Sequence, residues 1–229
     1  MLSFSPDASY TTVNMYPFLP GSTHLVIGQS GSGKTQFIYR ILKNKDTMFG
    51  DQPPQKVLFY YGIWQSAYTQ MEHDIEGITF HEGLPSESEL MELTHPDVHT
   101  MIVLDDVQHL AANSQVVELI FTRLSHHRHC TCFYLQQNAY VQGKNQITIS
   151  VNAKYIEVFR SPRSLLQLQY LNAQVFPDSK NILTRAYKDI MSQEPYGYLV
   201  IDLTAHCPDE LRMRTAIFPG ENTIVYCAE

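Results

Sequence analysis

The chain has 229 residues, enough for one large domain with a full core and too few for two comfortable ones. Its 44% hydrophobic and 17% charged residues match an ordinary globular protein, which excludes a disordered or fibrous chain. A net charge of −7 argues against a protein coated in nucleic acid, and no apolar run nears the roughly 18 residues of a membrane span.

Residues 1–20 begin MLSFSPDASY and carry neither the basic start nor the apolar block of a signal peptide, so a soluble intracellular protein is expected. They read as an irregular arm closed by Pro17, Pro20 and Gly21, with residues 21–229 forming a single domain. LVIG (25–28) is predicted as a short buried strand and Thr35 to Lys43 as a helix. KVLFYYG (56–62) is a second strand. Residues 63–75 and 86–93 are helical, the latter opened by Ser86 with Glu89 three positions on, a capping box. MIVLDD (101–106) is a third strand, continuously apolar as a strand covered on both faces should be.

Gln115 to His126 is amphipathic and helical, and CTCFYLQQ (130–137) is the fourth strand. KYIEVF (154–159) follows, then an apolar-periodic stretch near Ser164 to Ala173, a helix from Asn181 to Met191, and a late strand pair, YLVIDL (198–203) and RMRTAIF (212–218). Strands alternating with helices predict an α/β fold: a mainly parallel sheet with helices on both sides.

Gly28-Gln29-Ser30-Gly31-Ser32-Gly33-Lys34-Thr35 fits G-x-x-x-x-G-K-[ST] in full. Glycines let such a loop curl so that backbone N–H groups point inward at a phosphate, and the loop feeds a helix N-terminus whose partial positive charge favours an anion. Lys34 is expected to bridge the β- and γ-phosphates of a bound nucleotide, and the Thr35 hydroxyl to ligate Mg²⁺. Asp105, at the end of an apolar strand, supplies the hard oxygen that such a cation wants. Asp106 directly after it can orient and deprotonate an attacking water, with a helix N-cap as its purely structural alternative. A GTPase switch would carry D-x-x-G here and N-K-x-D later, and neither stands in place. The Asp105-Asp106 pair suggests a hydrolase with its own base, the alternative being a kinase of small molecules, which usually lacks the second acid. The fourth strand ends in Gln136-Gln137, and a polar amide there could sense the γ-phosphate. Alternation allows only one of the two to do so, and Gln137 is preferred.

Together these residues resemble the FtsK/HerA superfamily of ring-forming, DNA-pumping P-loop (RecA/ASCE-like) ATPases. YYGIWQSAY (60–68), HEGLP (81–85), FTRLSHHRH (121–129) before LQQN (135–138), SVNAKYIEVFRSPR (150–163) and YGYLVIDL (196–203) before RMRTAIFP are similar to the genome-packaging ATPases of Maverick/Polinton elements, adintoviruses and, more distantly, poxviruses. The resemblance covers the chain from about residue 20 onward. It implies a homo-oligomeric ring (pentamer or hexamer) that hydrolyses ATP with water to ADP and phosphate at subunit interfaces and draws double-stranded DNA into a capsid, with capsid or portal-vertex partners, in an infected or element-bearing cell. It also implies an arginine reaching the neighbour's site from near the fourth strand, where Arg128 matches best and Arg123 second. One departure stands out: relatives often carry an arginine before the segment matching SVNAKYIEVF, where this chain has QITI (146–149). A nucleotide-gated assembly switch with slow hydrolysis is the alternative function.

Charge patterning adds a possible docking pair. Residues 46–118 hold 13 acidic groups against Lys56 alone, and residues 119–176 hold six basic groups against Glu157 alone, so an acidic face on one copy can meet a basic face on the next. The loop 137–146 offers Lys144 and Asn145, with Gly143 and Tyr140, as contacts for DNA phosphates. His126, His127, His129, Cys130 and Cys132 lack a second ligand pair at zinc-like spacing, and no metal is expected there. The four cysteines are too few for a disulfide framework and are expected to be reduced.

Overall fold

A computed structural model describes residues 17–111, 114–137, 144–162 and 165–227. One nine-stranded sheet organises them, in the order β3-β2-β4-β5-β1-β6-β7-β8-β9. Its strands are β1 (Thr23–Ile27), β2 (Lys56–Tyr61), β3 (Ile78–Glu82), β4 (Thr100–Asp105), β5 (Cys130–Gln136), β6 (Tyr155–Phe159), β7 (Tyr198–Asp202), β8 (Met213–Thr215) and β9 (Ile224–Tyr226). The pairings from β3 across to β6 are all parallel, and those from β6 to β9 are antiparallel. The expected late strand pair is thus a three-stranded antiparallel extension.

Helices cover both faces. On one lie α1 (Lys34–Lys43), α2 (Lys45–Met48) and α3 (Ser66–Asp74), packing Phe37, Ile38, Ile41 and Met71 onto Val26, Phe59, Val103 and Phe133. On the other, Leu90 of α4 (Glu87–Leu93) joins residues of α5 (Gln108–Ala111), α6 (Val116–Leu119), α8 (Lys144–Val151), α9 (Leu165–Val175) and α10 (Ile182–Gln193). Because both faces are covered, the central strands are buried throughout: β1, β4, β5, β6 and β7 hold no exposed residue. No helix among the described residues is long and apolar enough to cross a membrane.

Several boundaries differ from expectation for physical reasons. The domain reaches back before Gly21: Phe18 is fully buried, and its N–H donates to Met48 O at 3.1 Å. Residues 1–16 of the expected arm lie outside the described residues. Strand β3 was not anticipated. It is a five-residue edge strand between Gly77 and Gly83, half-exposed, without the apolar run that marks an interior strand. The helix expected from Gln115 is broken by a π-helical turn, Ile120–Leu124, before α7 (Ser125–His127). The capping box is present as predicted, with Glu89 N donating to Ser86 Oγ at 3.1 Å.

The loop expected to touch DNA divides. Residues 138–143, with Tyr140 and Gly143, lie outside the described residues, whereas Lys144 and Asn145 open helix α8 rather than sitting in a turn. Nothing is described of their side chains. Arg163 is likewise outside.

Candidate nucleotide site

In a parallel sheet the loops at the strands' C-terminal ends converge, so residues far apart in sequence meet beside β1. The loop after β1 runs directly into α1. Gly31 (φ 73°) and Gly33 (φ 102°) take left-handed conformations that let it curl. Gly28 is required for another reason: a Cβ there would stand 2.6 Å from both Phe159 Cβ and Ser32 Oγ. The result is a cradle at a ten-residue helix N-terminus, bordering a cavity of about 820 Å³.

Strand β5 pairs with β1 on one edge and β4 on the other. Asp105 at the tip of β4 therefore faces the loop across one intervening strand. Thr35 Oγ1 donates to Asp105 Oδ2 at 2.8 Å, and Tyr68 OH from α3 donates to the same oxygen at 3.0 Å. Burial pushes the Asp105 carboxyl above the usual carboxylate range, while the two hydroxyl donors and Lys34 pull it back. Burial likewise pulls the Lys34 ammonium below its ordinary value, with Asp105 and Asp106 countering. Lys34 Nζ folds onto the loop's own carbonyls, donating to Gly28 O at 2.7 Å and Gln29 O at 3.0 Å.

Asp106 has φ 57°, a left-handed conformation costly for most side chains and tolerated by Asp and Asn. The backbone of Gly62 allows it: a Cβ at Gly62 would lie 2.2 Å from Asp106 O. Helix α5 starts two residues later at Gln108, so Asp106 is not the N-cap of the structural alternative. Its half-buried carboxylate borders the cavity.

The two glutamines correct one expectation. Both Gln136 and Gln137 border the cavity, because pleat alternation ends with the strand at Gln136. Gln137 is exposed, and its N–H is held by Gln108 Oε1 at 3.1 Å. Gln136 is buried, accepts from Gln146 Nε2 at 2.9 Å, and keeps an Nε2 donor without a partner.

The two arginines read as candidates for a neighbour's site lie away from this chain's own loop. Both precede β5, at the opposite end of the strands from the loop. Arg128 closes the C-terminus of α4, donating to Thr94 Oγ1 at 2.9 Å, to Met91 O at 2.7 Å and to Thr94 O. Three of its five guanidinium N–H donors are engaged inside its own chain. Arg123 is exposed on the π-helical turn and makes no hydrogen bond or ion pair among the described residues. Arg123 is the less committed of the two within the chain.

Sequence reasoning missed Tyr68, Gln108 and Gly62. Tyr68 lies inside the quoted YYGIWQSAY segment, but nothing in its spacing shows that its hydroxyl reaches a residue 37 positions away.

No protein-family model and no curated protein matches the chain. The site's own chemistry is consistent with a magnesium nucleotide. Thr35 and Asp105 present oxygen donors of the kind a hard cation takes, and the glycine cradle and helix end suit phosphate. Among the described residues no three His, Cys, Asp or Glu side chains gather as a protein-only metal cage. Mg²⁺ needs none, since it commonly binds through one or two protein oxygens together with substrate phosphates. Burial holds the Cys132 thiol well above its ordinary value and pushes Cys130 up to about 11, so both stay protonated. All four cysteines are unpaired.

Proposed function

We propose that this chain is a P-loop ATPase of the RecA/ASCE-like class that hydrolyses ATP to ADP and phosphate. Working as a homo-oligomeric ring, it would move double-stranded DNA into a viral capsid. The observation that carries the ATPase reading is the convergence of a complete phosphate loop with the acid-tipped strand β4, Thr35 bonded to Asp105 at 2.8 Å across a single intervening strand. The DNA and capsid partners rest on the resemblance carried by the ordered motifs.

Bound MgATP supplies the phosphoanhydride to be cleaved and a cation that neutralises its developing charge. The chain's residues do the rest. Loop amides from Gly31 to Lys34 hold the phosphate oxygens, and the Lys34 ammonium leaves Gly28 O to take phosphate charge. Thr35 and Asp105 would hold the cation. Asp106 accepts a proton from the attacking water, and a glutamine at the β5 tip orients that water or reports on the terminal phosphate. Arg123, exposed and uncommitted, is the side chain available to a neighbouring copy's site.

Steady-state ATP turnover with and without long duplex DNA tests the whole reading. The expected results are Mg²⁺-dependent turnover abolished by Lys34→Ala, stimulated by DNA, with stimulation falling as salt rises. Turnover without DNA stimulation at any salt would leave an ATPase and remove the motor. Absence of ATP binding would remove both.

A further inference from the structure

Tyr196 has no role in the chemistry above, yet it borders the same cavity. The residue is 69% exposed, unusual for a large aromatic at a concave site. Its ring stands 3.5 Å from where a Cβ on Gly33 would be, directly beside the phosphate cradle. No hydrogen bond or ring contact engages it among the described residues.

Its backbone, by contrast, is fixed. Gly197 N donates to Glu194 O at 3.2 Å, and Arg160 Nε donates to Pro195 O at 3.3 Å. A Cβ on Gly197 would come within 2.7 Å of Ile190 Cγ2, so this turn is pressed onto the end of α10. Gln29 N donates to Arg160 O at 3.3 Å, which ties the turn to the phosphate loop itself. An aromatic ring with a free face is thus carried on a braced support.

Sheet order gives the direction. The acids of β4 lie two strands from β1 on one side, and Tyr196, just before β7, lies two strands away on the other. A triphosphate whose terminal group faces Asp105 and Asp106 has its other end toward β6 and β7. The exposed side chains waiting there are Tyr196 and, on the next turns of α1, Gln36 and Arg40. Arg40 is already placed, with its guanidinium 3.8 Å over the Phe218 ring and paired to Glu221.

Building on the ATPase reading, we infer that Tyr196 is the platform on which the nucleobase stacks. The site therefore takes a nucleoside triphosphate rather than a bare polyphosphate or a phosphorylated small molecule. Aromatic stacking of one base changes affinity by about five- to a hundredfold.

Calorimetric titration with magnesium ATP and with magnesium tripolyphosphate decides this. Wild-type protein should bind ATP the more tightly. Tyr196→Ala should weaken ATP binding by about five- to a hundredfold, leaving tripolyphosphate unchanged, and Tyr196→Trp should restore ATP affinity. If Tyr196→Ala binds ATP as wild type does, or loses both ligands equally, the inference is overturned while the phosphate loop stands. If wild type binds neither ligand, the phosphate-loop reading falls and takes this inference with it.

Discussion

Tyr68 and Asp105, 37 positions apart, are joined by a 3.0 Å hydrogen bond to the carboxylate oxygen that also accepts from Thr35. Burial, then the neighbouring Asp105 charge, raise the Tyr68 hydroxyl well above its ordinary pKa, so it remains a donor at any working pH. One oxygen of Asp105 is thereby held by two hydroxyls, which fixes the direction of the other. Outer partners of metal ligands commonly govern about 10- to 100-fold in metal affinity or activity. Tyr68→Phe keeps the ring in its pocket and removes only the donor. Its half-saturating Mg²⁺ for ATP turnover should rise about tenfold, with melting temperature nearly unchanged. An unaltered Mg²⁺ titration would reduce Tyr68 to a packing residue.

Asp106 combines a left-handed backbone with a carboxylate aimed at the cavity, and strain of this kind gathers where a side chain must be positioned. Asn tolerates the same backbone, so Asp106→Asn should fold normally and bind ATP while turnover drops by about 10²-fold or more. Gly62→Ala is the matching steric experiment, since the added methyl would meet Asp106 O at 2.2 Å. It should lower turnover and stability together. Equal turnover in Asp106→Asn and wild type would remove Asp106 as the base.

Arg123 and Arg128 should separate cleanly. Arg128 holds three acceptors at the end of α4, so Arg128→Ala is expected to cost about 1–3 kcal/mol in urea unfolding. Arg123, exposed on the π-turn, should cost almost nothing in stability. Its effect should appear in mixtures, where Arg123→Ala subunits poison wild-type rings beyond their proportion. Activity falling only in proportion to the mutant fraction would rule out a contribution in trans.

What could be read in the sequence follows from how each feature is encoded. The glycine loop and the acids closing β4 were legible because a proposed phosphate chemistry fixes residue types at short spacing. The central strands were legible because burial on both faces writes a continuous apolar run. Edge strand β3 has no such run and was missed. The cap that Arg128 places on α4 was not legible because its partners, Met91 and Thr94, lie 37 and 34 positions away and are mostly backbone carbonyls. The Gln136/Gln137 choice relied on a strand period that stops where the strand does. Asp106's backbone depends on Gly62, contributed by a different strand's end, and local patterning carries no trace of that.

His99 supplies a pH dependence independent of the nucleotide site. It is 4% exposed, donates from Nδ1 to Gln52 O at 2.7 Å, and its Nε2 lies 2.7 Å from Thr131 Oγ1. Thr131 Oγ1 also accepts from Gly21 N at 3.0 Å, and with Nδ1 donating to a carbonyl, a neutral ring leaves Nε2 as the acceptor for the Thr131 hydroxyl. Burial lowers His99 to about 4, helped by the nearby His129 and opposed by the Gln52 carbonyl. The unfolded chain titrates near 6.5, so between about 6.5 and 4 it binds the proton that the folded form refuses. Stability from this group is therefore complete above about pH 6.5 and is lost as pH falls toward 4. At pH 5 the loss is about 2 kcal/mol relative to pH 7. His99→Gln, compared with wild type by urea unfolding at pH 7 and pH 5, should show that much less acid sensitivity. Identical losses in the two proteins would assign the acid response to other groups, such as His24, which burial also holds well below its ordinary value.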